Sequence, residues 1–299
     1  MTSESTHPSV TVIGLGAMGA ALTTALLKRN RRVTVWNRTL GKSQALAQLG
    51  AHVADSVAEA VQSSDVVVIS VSDYRVSESL LHPRDVSVAL RGKTVVQLTT
   101  GSQKDARAEE LWAAENKISY VEGTIPVYPK DIGQPHCAIF YSGQKAYFDA
   151  VRDTLQCFGG YPLHVGVDVG ASVVLDMALV GSVAAGAMLA FLHGAAICES
   201  GGISLDTYLS IALNHVMPRL VKDNMEISVE MIKEGNYKGA QATLDTWTAG
   251  IGHFVPEYRE MGVDVTYVEG LLSYLKKAQA MGHGQDEMAS VFECFRRKR

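Results

Sequence analysis

The segment Val10-Thr-Val-Ile-Gly14-Leu-Gly16-Ala-Met-Gly19-Ala-Ala constrains this chain more than any other. Four strand-favouring residues run into three glycines spaced GxGxxG, and a helix-forming run, Ala17–Lys28, follows at once. Each glycine has a physical reason. Gly14 permits a tight turn, Gly16 leaves the backbone open to a pyrophosphate, and Gly19 lets the helix pack close to the strand. The helix N-terminus then offers free N–H groups and a positive dipole end to a phosphate. Glycine-rich turns are common, so the spacing alone is weak; its context makes it specific. Val33–Trp36, Asp65–Val71 and Thr94–Leu98 are further short runs rich in Val and Ile. Helical patterns at Gly41–Leu49, Ser56–Gln62 and Gln103–Glu115 separate them. Strands alternating with helices predict a parallel sheet covered on both faces. Ile118–Val121, Ala138–Tyr141 and Leu163–Val165 are expected to complete it.

The strand signal stops near Gly170. A long apolar helix follows, then helical patterns over Leu205–Asn214, Pro218–Glu234, Leu244–Met261, Thr266–Met281 and Asp286–Arg296, with Gly201-Gly202 and Gly282-His283-Gly284 as stops. The expected architecture is α/β. A disordered tail (1–9) precedes an N-terminal Rossmann domain with a doubly wound parallel sheet (10–166). An interdomain helix (167–199) and an all-helical dimerisation and substrate domain (200–299) follow. With 299 residues, 47% apolar and 19% charged, the chain can build two cores. Met177–Cys198 carries no formal charge and is long enough to span a bilayer. It is nevertheless rich in Ala and Gly, contains His193, follows Asp176 directly and has no basic or aromatic belt. It reads as a buried helix of a soluble protein, not a membrane span.

The formal charge of −4 argues against a nucleic-acid binder built on a general basic surface. The cluster Arg296-Arg297-Lys298-Arg299 reads as a solvated tail. Cys137, Cys157, Cys198 and Cys294 form no CxxC pair, which excludes a zinc ribbon and a dense disulfide framework and suits a reducing compartment. His136 and Cys137 adjoin without a third ligand at metal spacing, so no metal is expected. The first nine residues lack an apolar signal region, and the expected location is cytoplasmic.

The end of the second strand selects the cofactor. An NAD site usually places Asp or Glu there for the ribose 2′-hydroxyl. This chain has Asn37-Arg38-Thr39 and then Lys42, with no carboxylate between Arg31 and Asp55. Arg38 and Lys42 can pair with a 2′-phosphate while Asn37 and Thr39 hydrogen-bond it. The expected cofactor is NADPH. Its binding residues are Gly14, Leu15, Gly16, Ala17, Met18 and Gly19 in the turn, and Asn37, Arg38, Thr39 and Lys42 after the second strand. Val71 and Ser72, then Gln97 and Thr99, join them at the carboxyl edge of the sheet.

The glycine turn, the Asn37-Arg38-Thr39 segment with Lys42, and a sheet followed by a long helix resemble the β-hydroxyacid dehydrogenase superfamily. That superfamily's catalytic lysine falls in the segment matching Gly170–Val180. Asp176 holds the lysine position here, and Leu179 and Val180 the asparagine positions. Its substrate-binding SGG loop should fall near Gly123–Val127, where Gly-Thr-Ile-Pro-Val stands. Asp176 followed by Met-Ala-Leu is instead similar to the imine reductases and reductive aminases of that superfamily. The resemblance covers nearly the whole chain, including Gly282-His-Gly284-Gln-Asp286. It implies NADPH-dependent reduction of a cyclic imine or iminium to an amine. It also implies a 6-phosphogluconate dehydrogenase-like C-terminal domain and a homodimer intertwined through the interdomain helix. Two residues depart from the pattern. Gln97 stands where many relatives have Asn, and Ala184 where reductive aminases often have Tyr. Simple imine reduction is therefore expected before efficient amine capture.

The chemistry agrees with the replacement. Reducing a ketone builds negative charge on oxygen and calls for a cationic acid or a donor. Reducing an iminium consumes positive charge on nitrogen and calls for an anion, or an acid that protonates the imine. Asp176 beside an apolar helix should have a raised pKa and could serve both ways; it could also merely cap that helix. Tyr128, Met217 and Trp247 are the expected substrate contacts, with Lys130, Asp131 and His253 nearby in sequence. Two other readings compete: a hydroxyacid dehydrogenase-like carbonyl reductase, and an NADP(H)-binding regulator without turnover.

Overall fold

A computed structural model describes residues 8–296. Most of the tail expected over 1–9, and Arg297–Arg299 of the basic cluster, lie outside the described residues. Ser9 is held in place: its hydroxyl donates to the carbonyl of Ser63 at 3.1 Å. The chain divides into two compact units, one through Ala184 and one from Ala185. The division falls inside the stretch expected to be a separate interdomain helix.

The first unit runs β1 (Val10–Ile13), α1 (Ala17–Lys28), β2 (Val33–Trp36), α2 (Gly41–Gln48), β3 (His52–Val53), α3 (Val57–Gln62), β4 (Val66–Ile69), α4 (Tyr74–Leu81), α5 (Arg84–Ala89), β5 (Thr94–Gln97) and α6 (Gln103–Glu115). It continues with β6 (Ser119–Thr124), β7 (Ala138–Ser142), α7 (Lys145–Leu155), β8 (Tyr161–Gly166) and α8 (Gly170–Asp176). The strands form one eight-stranded sheet in the order β3-β2-β1-β4-β5-β6-β7-β8. Val10 of β1 lies beside Val33 on one side and Val66 on the other, both in parallel register. The chain thus winds outward in two directions from β1, which puts the switch point between β1 and β4. Successive residues feed two cores. Val10, Val12, Val66 and Val68 pack with Leu22 and Leu26 of α1. Ile13, Val67, Ile69 and Val95 pack with Leu81 and Leu90 on the opposite face. Burial on both faces is why these strands are continuous apolar runs without polar alternation.

The sheet departs from an all-parallel reading at one place. β7 runs antiparallel to β6, with Glu122 opposite Ser142. The connection between them holds only a short 3₁₀ turn, Pro129–Asp131, and no α-helix to carry a parallel crossover. Four elements lay outside the sequence reading: β3, α4, α5 and α7. α8 then ties back to the sheet, Ser172 meeting Ser142 hydroxyl to hydroxyl at 2.8 Å and accepting Thr124 Oγ1 on its carbonyl at 3.2 Å.

The second unit holds α9 (Ala185–Ser200), α10 (Leu205–Ile211), α11 (Asp223–Glu234), α12 (Leu244–Glu260), α13 (Thr266–Ala278) and α14 (Phe292–Phe295). Its core is Leu244, Val255, Val268, Leu272, Leu275 and Ala278, from α12 and α13. Pro218 does not begin a helix. It lies inside Ala212–Lys222, a stretch of wider i→i+5 turns, where a residue without an N–H is less costly than in a regular α-helix. The helical stretch Gly170–Ser200 has a mean hydropathy of 2.0 in its most apolar window, of which only 6% is buried. It is long and apolar enough to cross a membrane by length and composition. The expectation of a buried helix is therefore not met within the single chain. α9, α10 and α11 contain no buried residue at all.

Candidate active site

The glycine turn is built as its spacing requires. Gly14 has φ +91°, and a Cβ there would strike the carbonyl oxygen of Ser70. A Cβ on Gly19 would strike the carbonyl oxygen of Gly14. A Cβ on Gly16 would meet nothing within 4 Å. Gly14 and Gly19 are thus glycine because the backbone is crowded, whereas the space at Gly16 is open, as an approaching pyrophosphate needs. Gly16 caps α1 without a side-chain hydrogen bond, so the first N–H groups of the helix keep their donor capacity.

Asn37 is tied into the turn itself. Its Oδ1 accepts the backbone N–H of Leu15 at 2.9 Å, and its Nδ2 donates to the carbonyl of Thr39 at 2.9 Å. It braces the glycine turn against the loop after β2, so its amide is already engaged. Leu15 itself is buried. Arg38, Thr39 and Lys42 are exposed beyond the end of β2. Neither cation makes an ion pair among the described residues, which leaves both charges available for a phosphate.

Gln97 and Thr99 are braced in a similar way. Both are buried. Gln97 Nε2 donates to Ser77 Oγ at 2.8 Å and its Oε1 accepts the N–H of Thr99 at 3.1 Å. Thr99 Oγ1 in turn accepts the N–H of Val71 at 3.1 Å. The two residues spend their polar atoms holding the strand ends together. Ser72 bonds Asp73 at 3.0 Å, and Asp73 caps α4 through the N–H of Val76 at 3.0 Å.

The strand ends enclose a cavity of about 320 Å³ at the carboxyl edge of the sheet. Met18 enters it from the glycine turn, Ser70 and Val71 from the end of β4, Thr100 and Gly101 from beyond β5, and Gly123, Thr124 and Ile125 from β6. Asp176, the last residue of α8, lines the same cavity with Val173 and Met177. It is half-buried and has no hydrogen-bond or ion-pair partner among the described residues. Burial alone pushes its carboxyl above the usual range. A carboxyl in that condition can hold a proton for transfer or oppose a developing cation.

Ser70, Thr100, Gly101 and Thr124 escaped the sequence reading. The signal that would have found them is positional, since each stands at or just beyond the carboxyl end of β4, β5 or β6. Tyr128 does not line this cavity; its side chain is mostly in solvent ahead of the 3₁₀ turn. Lys130 lines a separate cavity of about 400 Å³ against the outer face of α1. Met217 and Trp247 belong to the second unit, where Met217 is exposed and Trp247 packs on the core.

A glycine turn at the switch point of a doubly wound sheet, with an acid facing the strand ends beside it, defines a dinucleotide-dependent oxidoreductase. Comparison with known proteins narrows the class. Residues 9–170 match the family described as the NAD binding domain of 6-phosphogluconate dehydrogenase, and residues 168–297 the NADPH-dependent reductive aminase-like C-terminal domain. An NADPH-dependent reductive aminase of Aspergillus oryzae is 29% identical over 288 residues, covering 95% of this chain and 96% of that protein. The imine reductase of Myxococcus stipitatus, solved in complex with NADP+, is 35% identical with a TM-score of 0.88, covering 97% of this chain and all of that one. A reductive aminase of Aspergillus terreus, solved with NADPH, cyclohexanone and allyl amine, is 28% identical with a TM-score of 0.84 over 97% of this chain and all of that one. The chain belongs to the imine reductase and reductive aminase family.

Proposed function

We propose that this protein reduces the C=N bond of a cyclic imine or iminium to an amine, with NADPH as cofactor and Asp176 as the acidic group. One observation carries the reading: Asp176 shares a cavity with the carboxyl ends of β4, β5 and β6, next to the glycine turn. The open backbone at Gly16 and the unpaired cations Arg38 and Lys42 suit a dinucleotide carrying a 2′-phosphate. NADPH, when bound, supplies the hydride. The chain supplies the rest. Gly16 and the start of α1 would hold the pyrophosphate, and Arg38 and Lys42 the 2′-phosphate, while Asn37 keeps turn and loop in register. Asp176, whose proton burial helps to retain, is the group placed to give a proton to the imine nitrogen. The carboxylate that results then stabilises the iminium. A lysine there would stabilise an alkoxide instead, which disfavours the carbonyl reductase reading.

We further infer a homodimer in which a second copy covers α9 to α11, since this chain fully buries none of their residues. Met217 and Trp247 are proposed as substrate contacts on the resemblance alone. A cytoplasmic location is supported by the four cysteines, all free thiols and two of them buried. The deciding experiment is NADPH oxidation followed against a panel of cyclic imines and 2-keto acids. Turnover of the imines with the keto acids inert is expected. Turnover of the keto acids alone would overturn the reading, and no turnover with tight NADPH binding would favour a regulator.

A further inference from the structure

Below the cavity rim lies a buried polar cluster that the reaction does not use. Glu122, the residue before cavity-lining Gly123, is 1% exposed. Its Oε2 accepts the hydroxyls of Tyr74 at 2.6 Å and Tyr120 at 2.5 Å, while its Oε1 has no partner. A buried carboxyl with an orphaned oxygen is costly, and a Gln or an apolar pair would fill this site more cheaply. What the arrangement secures is visible from Tyr74. This residue opens α4, directly after the Ser70–Asp73 rim. Its ring lies so close to Gly101 that a Cβ there would strike it. Gly101 and Ser70 both line the cavity. One buried hydrogen bond therefore ties β6 to two rims that come from different strands.

We propose that Glu122 is a positioning residue of the NADPH site: by receiving Tyr74 it fixes the Ser70–Asp73 and Thr100–Gly101 rims without touching cofactor or substrate. The proposal rests on the reading of this cavity as the dinucleotide site. Burial and the acidic neighbours Glu109 and Asp105 of α6 hold the Glu122 carboxyl neutral against the hydroxyl donors Tyr74 of α4 and Tyr120 of its own strand, which favour its charge. Glu109 is itself paired with His82 at 3.0 Å. Among the described residues no cation pairs with Glu122, and burial pushes its carboxyl up to about 8. Ionisation above that pH would place a negative charge in the interior near Glu109 and Asp105, at a cost to the fold that the two hydroxyl donors only partly offset.

The test is NADPH affinity, read by fluorescence titration together with Tm, for Tyr74→Phe, Glu122→Ala and Glu122→Gln. Tyr74→Phe keeps the ring against Gly101 and removes only the bond, so it decides the matter even if Glu122→Ala does not fold. Tyr74→Phe and Glu122→Ala should weaken NADPH binding by about 5- to 20-fold, as the loss of one buried hydrogen bond predicts. Glu122→Gln keeps an acceptor oxygen and should restore affinity to within about twofold. A lowered Tm with NADPH affinity unchanged in Tyr74→Phe would overturn the proposal, and so would a Glu122→Gln protein as weak as Glu122→Ala. If every affinity behaves as expected but no imine is turned over, the C=N reading fails and this one stands.

Discussion

At the scale of single residues, Asp176 is the strongest test of the chemistry. A positioned acid contributes about 10²–10⁴-fold to a rate, so Asp176→Ala should lower kcat by that range while NADPH affinity stays nearly unchanged. Asp176→Asn, which cannot ionise, should lose more rate on neutral imines than on preformed iminium salts; equal losses would assign the residue a structural role. Because its carboxyl is raised by burial, activity on neutral imines should fall on the alkaline side as the proton is lost. Arg38 tests the cofactor. Losing one charge-assisted contact worth about 1.5–3 kcal/mol, Arg38→Ala should lose roughly ten- to a hundredfold in kcat/KM with NADPH and far less with NADH. Glu122 gives a prediction about stability. Its carboxyl titrates near 8 in the folded chain against an ordinary 4.5. Between those values the folded state holds the extra proton, so stability should fall as pH rises, by at most about 1.4 kcal/mol per unit. Glu122→Gln should flatten that slope in denaturant titrations run from pH 5 to 8.

At the scale of elements, the glycine turn separates two kinds of need that one motif conceals. Gly16 has φ −66° and open space about it, so Gly16→Ala should fold with a Tm within about 4 °C of the original and lose NADPH binding. Gly19→Ala forces a methyl into the Gly14 carbonyl and should cost more than about 2 kcal/mol as well as binding. Scanning calorimetry beside NADPH titration separates the two; similar Tm losses would refute the distinction. The same contrast explains what the sequence could disclose. β1, α1, β2 and α6 stand where periodicity placed them, because Val and Ile runs and caps such as Ser102 with Asp105 are local signals. The hydrogen bonds of Gln97 and Thr99 are not local. They depend on Ser77 and Val71, which only the assembled sheet brings within reach. The direction of β7 escaped for a related reason, since it is set by the missing crossover helix and not by the strand's own residues. α7 was legible, with Phe148, Val151 and Leu155 buried on one face, but its three anchors are diluted by charged neighbours.

At the scale of the molecule, the exposed apolar surface supports the proposed homodimer. Met188, Leu189, Leu192, Leu209, Leu213 and Leu220 are each 40–60% exposed, and soluble monomers rarely expose contiguous apolar patches beyond a few hundred Å². A bilayer and a second copy could each cover such a face, and α9's polar ties distinguish them. His193 Nε2 lies 3.1 Å from the carbonyl of Asp264, Tyr208 donates to the carbonyl of Phe191 at 3.1 Å, and Ser200 donates to that of Met261 at 2.7 Å. A span crossing a membrane would have to abandon these contacts and carry His193 and Glu199 into or beside hydrocarbon. A partner helix leaves them intact, and Gly181 and Gly186, with open space about them, admit close approach. Light scattering should therefore give twice the 32.2 kDa chain mass, and the protein should stay in solution when floated with liposomes. Glu in place of both Leu189 and Leu192 should break the dimer, since two buried like charges on each copy would go unpaired. A fully active monomer of 32.2 kDa would leave α9 to α11 stable in water uncovered, and would sink the dimer.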